Sequence, residues 1–399
     1  MGLNVNKVRR DFPIFQKNIV YFDNSCVTLR PEQVIEAMNK YYREFPACAG
    51  RSMHQLGNKV TEEVDKARSS IKKFINAKLK AEIIFTRNTT ESINLIANSF
   101  KFEKGDKVMI TDKEHNSNLL PWQFLAEKGI IRLKILASKE DNTFNLESFE
   151  REVKDVKLVS MVHTSNMDGV TNPVKDIIKI AHKNGALVML DAAQSAPHHE
   201  IDVRNLDVDF LAFSGHKMLG PSGIGVLYGK KELLENLNPF LVGGETVKDS
   251  TYTSRVIEDL PHRFEAGLQN YAGIIGLGEA ARYLMNIGIN NIEKHELRLT
   301  RKLTIGLQKM GDISIIGPGF EHRGGITSFN IRNKDPHQVA MLMDSSANIM
   351  LRSGAHCVHA WFNKHKMTGS VRASLYFYNT EEEVDSFLKN LEKVKKLIG

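Results

Sequence analysis

Six short, almost wholly apolar runs recur between stretches of helical periodicity: 82–86 (EIIFT), 107–111 (KVMIT), 158–163 (LVSMVH), 186–190 (ALVML), 210–213 (FLAF) and 225–228 (GVLY). A strand that is apolar on both faces can show neither face to water, so helices must cover both. The alternation therefore predicts a mainly parallel α/β sheet. In such a sheet ligands bind beyond the carboxyl ends of the strands. The residues just after each run are thus the ones to read for chemistry. From Met285 onward longer helical stretches replace this rhythm, with the few strands 325–331 (GITSFNI) and 370–375 (SVRASL), which predicts a smaller α+β domain.

The run 206–214 (LDVDFLAFS) delivers Lys217 from an apolar strand end into the Gly-rich turn 215–221. An ammonium at such a place is strongly disfavoured unless it loses its charge or forms a bond. An imine to an aldehyde cofactor does both. The run 186–190 ends in Asp191, followed by Ala192, Ala193 and Gln194. A lysine for covalent attachment and a carboxylate that keeps a pyridine nitrogen protonated are what pyridoxal 5′-phosphate needs. Taken singly, Lys217 also reads as a snorkelling surface lysine and Asp191 as a helix cap. Ser214 and His216 beside the lysine favour the cofactor. After Thr86 comes 87–92 (RNTTES), which opens a helix. Its amides, with the hydroxyls of Thr89 and Thr90, make either a phosphate site or a plain N-cap. No Walker A motif competes, because Gly229-Lys230 lacks the earlier Gly and the following Ser or Thr. Cys357 lies in a polar loop with Arg352 before it and His356 beside it, and nearby cations favour the thiolate that attacks sulfur.

The run from Asp191 to Gly225 resembles the class-V aminotransferases of fold type I. The segments 352–357 (RSGAHC) and 372–380 (RASLYFYNT) narrow the likeness to the cysteine desulfurases of the SufS and Csd type, and it extends from Tyr21-Phe22-Asp23 to the end of the chain. The resemblance implies an α/β fold-type I pyridoxal-phosphate transferase. Its large cofactor-binding domain would span 21–284 and its smaller α+β C-terminal domain 285–399, joined by the N-terminal segment 1–20. It places His115, in 114–118 (EHNSN), flat against the pyridine ring, where by itself a histidine also reads as a helix cap. It puts Gln194 on the ring hydroxyl, and Thr89, Thr90, Ser214 and His216 around the phosphate. Arg372 and Asn166 would meet the substrate carboxylate, and Arg352 would hold the base of the loop carrying Cys357. The implied reaction converts L-cysteine to L-alanine, with a persulfide left on Cys357 for iron–sulfur clusters or other sulfur compounds. A homodimer is implied, with Arg51 and His54 near a shared mouth, and a sulfur-acceptor protein or cluster scaffold as partner. Close alternatives are a selenocysteine lyase, or an epimerase or transaminase in which Cys357 is incidental. A more distant one is an inactive scaffold that binds a sulfur carrier.

Several positions leave that pattern. Leu268 stands where a threonine reaches the partner's phosphate, so that contact is absent or passes to Gln269. Asn116 and Ala355 replace histidines, Val358-His359-Ala360 replaces an Ala and Pro pair after Cys357, and Cys26 and Cys48 are additional.

Other function classes are set aside on composition. The net charge is +7, but Lys and Arg are interleaved with acids and no basic block carries aromatics, so nucleic acid is not expected as a partner. No apolar run approaches the about 18 residues of a membrane span, and the N-terminus has no apolar signal core, so a cytoplasmic location is expected. Three cysteines are too few and scattered for a disulfide framework, which suits a reducing compartment. The run 198–200 (HHE) tempts a metal reading. Neighbouring side chains on a strand point to opposite faces, however, and no third ligand is evident there; 356–359 (HCVH) is similarly weak, so no metal is expected. The last helix should start at a capping box, Thr380 with Glu383, and pack Val384, Phe387, Leu388, Leu391 and Val394 inward.

Overall fold

The computed structural model describes residues 3–398. Seven strands, β1 (Ile83–Thr86), β2 (Asp106–Thr111), β3 (Ile131–Leu136), β4 (Val156–Val162), β5 (Leu187–Asp191), β6 (Phe210–Ser214) and β7 (Gly225–Gly229), form one sheet. Their order is β1-β7-β6-β5-β4-β2-β3. Only β7 runs antiparallel to its neighbours, β1 and β6; the other pairings are parallel. β1 consequently points the same way as the parallel strands, and the carboxyl ends that precede the candidate residues meet at one edge. The six apolar runs are all strands. β3 is the strand the sequence did not announce: Arg132 and Lys134 interrupt its apolar residues because it is an edge strand, where charge is tolerated and blocks unwanted pairing.

Alternation along the strands divides the core in two. Leu211 and Phe213 of β6 face a cluster that includes Ile71 and Phe74 of helix α1 (Gln55–Phe74). Phe210 and Ala212 face the opposite cluster, with Ile93 and Ile96 of α2 (Thr89–Ser99) and Trp122 of α3 (Asn116–Glu127). Helix α4 (Tyr271–Ile287) joins the first cluster through Ile274 and Leu277.

A second, four-stranded antiparallel sheet contains β8 (Ile313–Ile315), β9 (Ile326–Ile331), β10 (Arg352–Gly354) and β11 (Ser370–Ser374), in the order β8-β9-β11-β10. Helices α5 (Ile289–Gln308) and α6 (Glu381–Leu397) cover it. The capping box at α6 is present, Glu383 N–H to Thr380 Oγ1 at 3.2 Å and Thr380 N–H to the Glu383 carboxylate at 3.1 Å. Val384, Phe387, Leu391 and Val394 are buried, and Leu388 packs partly buried against them.

The N-terminal segment stitches the two sheets together. Val20 and Tyr21 pair in parallel with Ile349 and Met350, and Ser374 N–H of β11 donates to Phe22 O at 2.7 Å. A few residues on, Gln194 Nε2 donates to Ser25 O at 2.8 Å, and Thr28 N–H donates to His216 O at 2.9 Å. Among the described residues no helix is long and apolar enough to cross a membrane.

β1 is held by a buried ion pair. Arg68 of α1 and Glu265 share two hydrogen bonds of 2.8 Å. Arg68 also donates to Ile83 O at 2.6 Å, while Glu265 accepts from Phe85 N–H at 2.7 Å. The pair thus satisfies backbone groups of an edge strand that would otherwise be buried unmade. Glu265→Gln, which leaves the Arg68 charge buried and unbalanced, should cost about 3–5 kcal/mol in urea unfolding. A loss below about 1 kcal/mol would place the pair among solvated surface bridges instead.

Candidate active site

At the carboxyl edge of the large sheet, beneath the small one, lies a cavity of about 240 Å³. Lys217, Asp191, Gln194, His115, Thr89, Thr90, Ser214, His216, Asn166, Arg352, Cys357 and Arg372 all line it. β5 and its turn bring Asp191 and Gln194; β6 and the single 3-10 turn Gly215–Lys217 bring Ser214, His216 and Lys217. Thr89 and Thr90 open α2, and His115 immediately precedes α3. Asn166 follows β4, and Arg352, Cys357 and Arg372 descend from the small sheet.

The α2 end of the cavity depends on Gly225. A Cβ there would lie 2.6 Å from Asn88 Cα, so only glycine lets the loop before α2 come so close to β7. Asn88 caps the helix through Glu91 N–H at 3.0 Å. Thr89 is fixed to Ser214 twice, N–H to Oγ at 2.9 Å and Oγ1 to Oγ at 2.7 Å, and Thr90 Oγ1 meets Ser117 Oγ at 2.7 Å. Hydroxyls gathered at the start of an 11-residue helix suit an anion.

Burial lowers the pKa of Lys217 below the ordinary lysine value; Asp191 opposes that shift and Arg372 adds to it. Burial likewise raises the Asp191 carboxyl, against the pull of Lys217 and a hydrogen bond from Ala193 N–H at 2.9 Å. His115 is pushed down to about 3, first by burial and then by Lys217 and Arg372. Its Nδ1 accepts from Ser117 N–H at 3.1 Å, which puts the ring proton on Nε2. The sequence left a helix cap and stacking on a cofactor ring as alternatives for His115; the structure shows the cap, and the residue also lines the cavity. Behind it, Glu114 accepts from Thr111, Asn118 and Val162 N–H. Burial raises its pKa to about 7.

Cys357 sits in a strained turn. His356 and Cys357 have φ of 51° and 59°, left-handed values that cost non-glycine residues roughly 1 kcal/mol or more each. Both carbonyls are held, His356 O by Asn166 Nδ2 at 2.7 Å and Cys357 O by Asn116 N–H at 2.7 Å. Two of the departures from the family pattern meet here, since the Asn116 side chain lies 3.0 Å from His359 Nδ1. Arg372 is less free than a substrate clamp read from sequence suggests. Its Nη1 donates to Asn166 O at 2.9 Å and its Nη2 to Asp23 Oδ1 at 3.2 Å, which leaves Nε without a partner. One expectation is corrected. His356 does not add positive charge beside the thiol, because burial, with Arg372 and Arg352 nearby, pushes its pKa down to about 2. The Lys and Arg side chains that line the cavity are Lys217, Arg352 and Arg372.

Five buried atoms of the lining, Ser25 Oγ, Asn166 Oδ1, Gln194 Oε1, His356 Nδ1 and Arg372 Nε, have no hydrogen-bond partner. Each such atom costs about 1–3 kcal/mol unless a ligand meets it. A buried amine beside a buried carboxylate, hydroxyls at a helix start and unpaired polar atoms between them fit a phosphorylated pyridine aldehyde together with an amino acid.

Sequence reading missed Asp23, Ser25 and Ser117 as parts of this site, and it took Cys26 only as an additional cysteine. The signal available was a run of small polar residues, 23–26 (DNSC), directly after a short apolar strand. Arg51 and His54 lie outside the cavity: Arg51 pairs with Glu245 at 3.1 Å and His54 caps α1. Leu268 is exposed, and the Gln269 amide donates within its own turn, to Ala266 O and Gly267 O. His198 and His199 occupy a turn rather than a strand. Both reach α5, at Glu296 (2.9 Å) and Glu293 (3.0 Å), so they do not diverge as strand neighbours do.

The depressed histidines make stability acid-sensitive. The folded pKa of His115 is about 3 and of His356 about 2, both below the unfolded value near 6.5. Their stabilising effect is complete above about pH 6.5 and is lost as the pH falls towards the folded values, at about 1.4 kcal/mol per pH unit for each ring. Glu114, with a folded pKa of about 7, works the other way, gaining stability as the pH falls from about 7 to about 4.5. Urea midpoints should drop between pH 6 and 4.5, and less so in His356→Gln; an equal drop in the variant would mean that His356 already carries its proton.

Residues 20–387 match the class-V aminotransferase family. The probable cysteine desulfurase of Halalkalibacterium halodurans is 40% identical, over 100% of this chain and 99% of the relative. That of Pyrococcus abyssi is 42% identical over 98% of this chain and 97% of its own. Among solved structures, the apo cysteine desulfurase of Thermococcus onnurineus superposes with a TM-score of 0.96 at 40% identity, covering 99% of both chains. Escherichia coli CsdA, in an S-sulfonic acid form, superposes at 0.92 with 31% identity, again over 99% of both chains.

Proposed function

The chain belongs to the class-V aminotransferase family, and on that premise we propose that it is a pyridoxal-phosphate-dependent cysteine desulfurase, converting L-cysteine to L-alanine and taking the sulfur onto Cys357. The observation that carries this reading is the meeting, in one cavity, of a buried Lys217–Asp191 pair with a cysteine on a strained, anchored turn. Lys217, Asp191, Gln194, His115, Thr89, Thr90, Ser214 and His216 would hold the cofactor. When bound, it supplies an electron-accepting ring that makes the Cα proton of an attached amino acid labile.

The chain's own residues do the rest. Asp191 offers its carboxylate to a ring nitrogen, where a positive partner would repay its burial. The Lys217 amine, disfavoured as an ammonium by burial, takes the Cα proton. Arg372, through its unpaired Nε, and Asn166 hold the substrate carboxylate, and Asp23 and the Asn166 carbonyl keep the guanidinium aimed. The Cys357 sulfur attacks the substrate sulfur. An S–S bond forms as the Cβ–S bond breaks, and the electron pair stays with the three-carbon fragment, which gains protons and leaves as alanine. Arg352 adds positive charge at the same cavity.

The same proposal extends to a homodimer in a cytoplasmic, reducing compartment that passes sulfur to an acceptor protein or scaffold for iron–sulfur clusters or other sulfur compounds. Three free cysteines agree with it. It also extends to the division into a large domain at 21–284 and a small one at 285–399 joined by 1–20. The seven-stranded sheet within 83–229 and the four-stranded sheet within 313–374 support that division.

Alanine formed from L-cysteine, read with the intact mass of the protein, tests the activity. Cys357→Ser should keep the cofactor absorbance, gain no sulfur and lose at least about 100-fold in alanine formation; wild-type rates in that variant would overturn the reading. Arg372→Lys, which replaces a planar fork by a point charge, should raise KM for L-cysteine about 10–100-fold with a smaller change in kcat.

A further inference from the structure

Cys26 is a second thiol of the active cavity. It lies in the turn after the N-terminal strand, its N–H bonded to Asp23 O at 3.1 Å, and its partly exposed side chain lines the same cavity as Cys357. Both sulfurs lie near enough to Lys217, and Cys26 near enough to Arg372, for charge on a sulfur to favour the neighbouring cation. Around Cys26 the lining is unfinished. Ser25 Oγ, Gln194 Oε1 and Arg372 Nε are buried without partners, in residues that are 3%, 2% and 3% exposed. Gln194 and Arg372 are among the groups that would meet the cofactor and the substrate, so Cys26 shares its cavity with the reacting molecules.

The turn that carries Cys357 is pinned at both carbonyls by Asn166 and Asn116. Cys357 is therefore held on the cavity wall, and Cys26 is the one other thiol among the described lining residues. Cys48 is exposed and does not line it.

We propose that Cys26 is an internal sulfur acceptor that takes the sulfane sulfur from Cys357 and frees Cys357 for another substrate before any outside acceptor arrives. The inference rests on the desulfurase reading. The Cys26 thiolate attacks the outer sulfur of Cys357–S–SH. A new S–S bond forms at Cys26, the S–S bond at Cys357 breaks, and Cys357 leaves as the thiolate while the proton stays on the transferred sulfur. Sulfane sulfur moves from one cysteine to the other, so no oxidant or reductant is consumed.

The test uses the cofactor-loaded protein with a few equivalents of L-cysteine and no other thiol, followed by rapid alkylation, peptide masses and the alanine burst. The expected result is one added sulfur on each of the Cys26 and Cys357 peptides. In Cys26→Ala and in the size-conserving Cys26→Ser, both checked for cofactor absorbance, the burst should fall by about half while Cys357 still carries sulfur. In Cys357→Ser, Cys26 should gain none. An unmodified Cys26 with an undiminished burst in its variants, alongside sulfur on Cys357, overturns the inference. So does a Cys26–Cys357 disulfide with sulfide released, because attack would then fall on the inner sulfur. Absence of both alanine and sulfur on wild-type Cys357 would instead sink the desulfurase reading itself, and the relay with it.

Discussion

A lysine and an aspartate buried together at the carboxyl edge of a parallel sheet set the terms for everything around them. Asp191 ends β5 and Lys217 follows β6, and in the ladder Asp191 pairs with Ala212, so adjacent strands deliver the two groups side by side. Desolvation opposes the charge on each, and each partly relieves the other. Arg372, itself buried, adds a second cation that Asp23 only partly balances. The cavity is consequently short of negative charge, and groups such as a phosphate or a carboxylate are what its field favours.

The second dependence is mechanical. The large sheet supplies the amine, the buried carboxylate and the hydroxyls; the small sheet supplies the guanidinium and the thiol. Residues 22–28 bind both, through Ser374 on one side and through Gln194 and His216 on the other. Asn166 works in the same way across the cavity, accepting from Arg372 and donating to His356 O. These cross-links stabilise a turn whose two successive left-handed residues would relax if released. The thiol is thereby held where a substrate sulfur would arrive.

Much of the site was legible in the chain. Lys217, Asp191 and the Thr89–Thr90 hydroxyls stand at strand ends because runs apolar on both faces can give way to polar residues only at a sheet edge, and a long ordered motif tied them to a chemistry. The alternation could not reveal β3, whose exposed edge permits Arg132 and Lys134, nor the antiparallel sense of β7. It also could not tell whether His115 capped its helix or stood free to stack on a ring, because one ring nitrogen can serve the helix while the residue still lines the cavity.

By itself, then, the sequence determined the parallel α/β core and the capped terminal helix, which follow from local periodicity and the capping pair, and it put Asp191 and Lys217 at strand ends; Cys357 stood out through its loop and the family likeness. Only the tertiary structure decided the rest. It left His356 uncharged, tied Arg372 to Asp23 and Asn166, strained the Cys357 turn and brought Cys26 into the cavity. Each of these depends on burial and on contacts between segments hundreds of residues apart, and no local pattern encodes the field or the packing at such a meeting point.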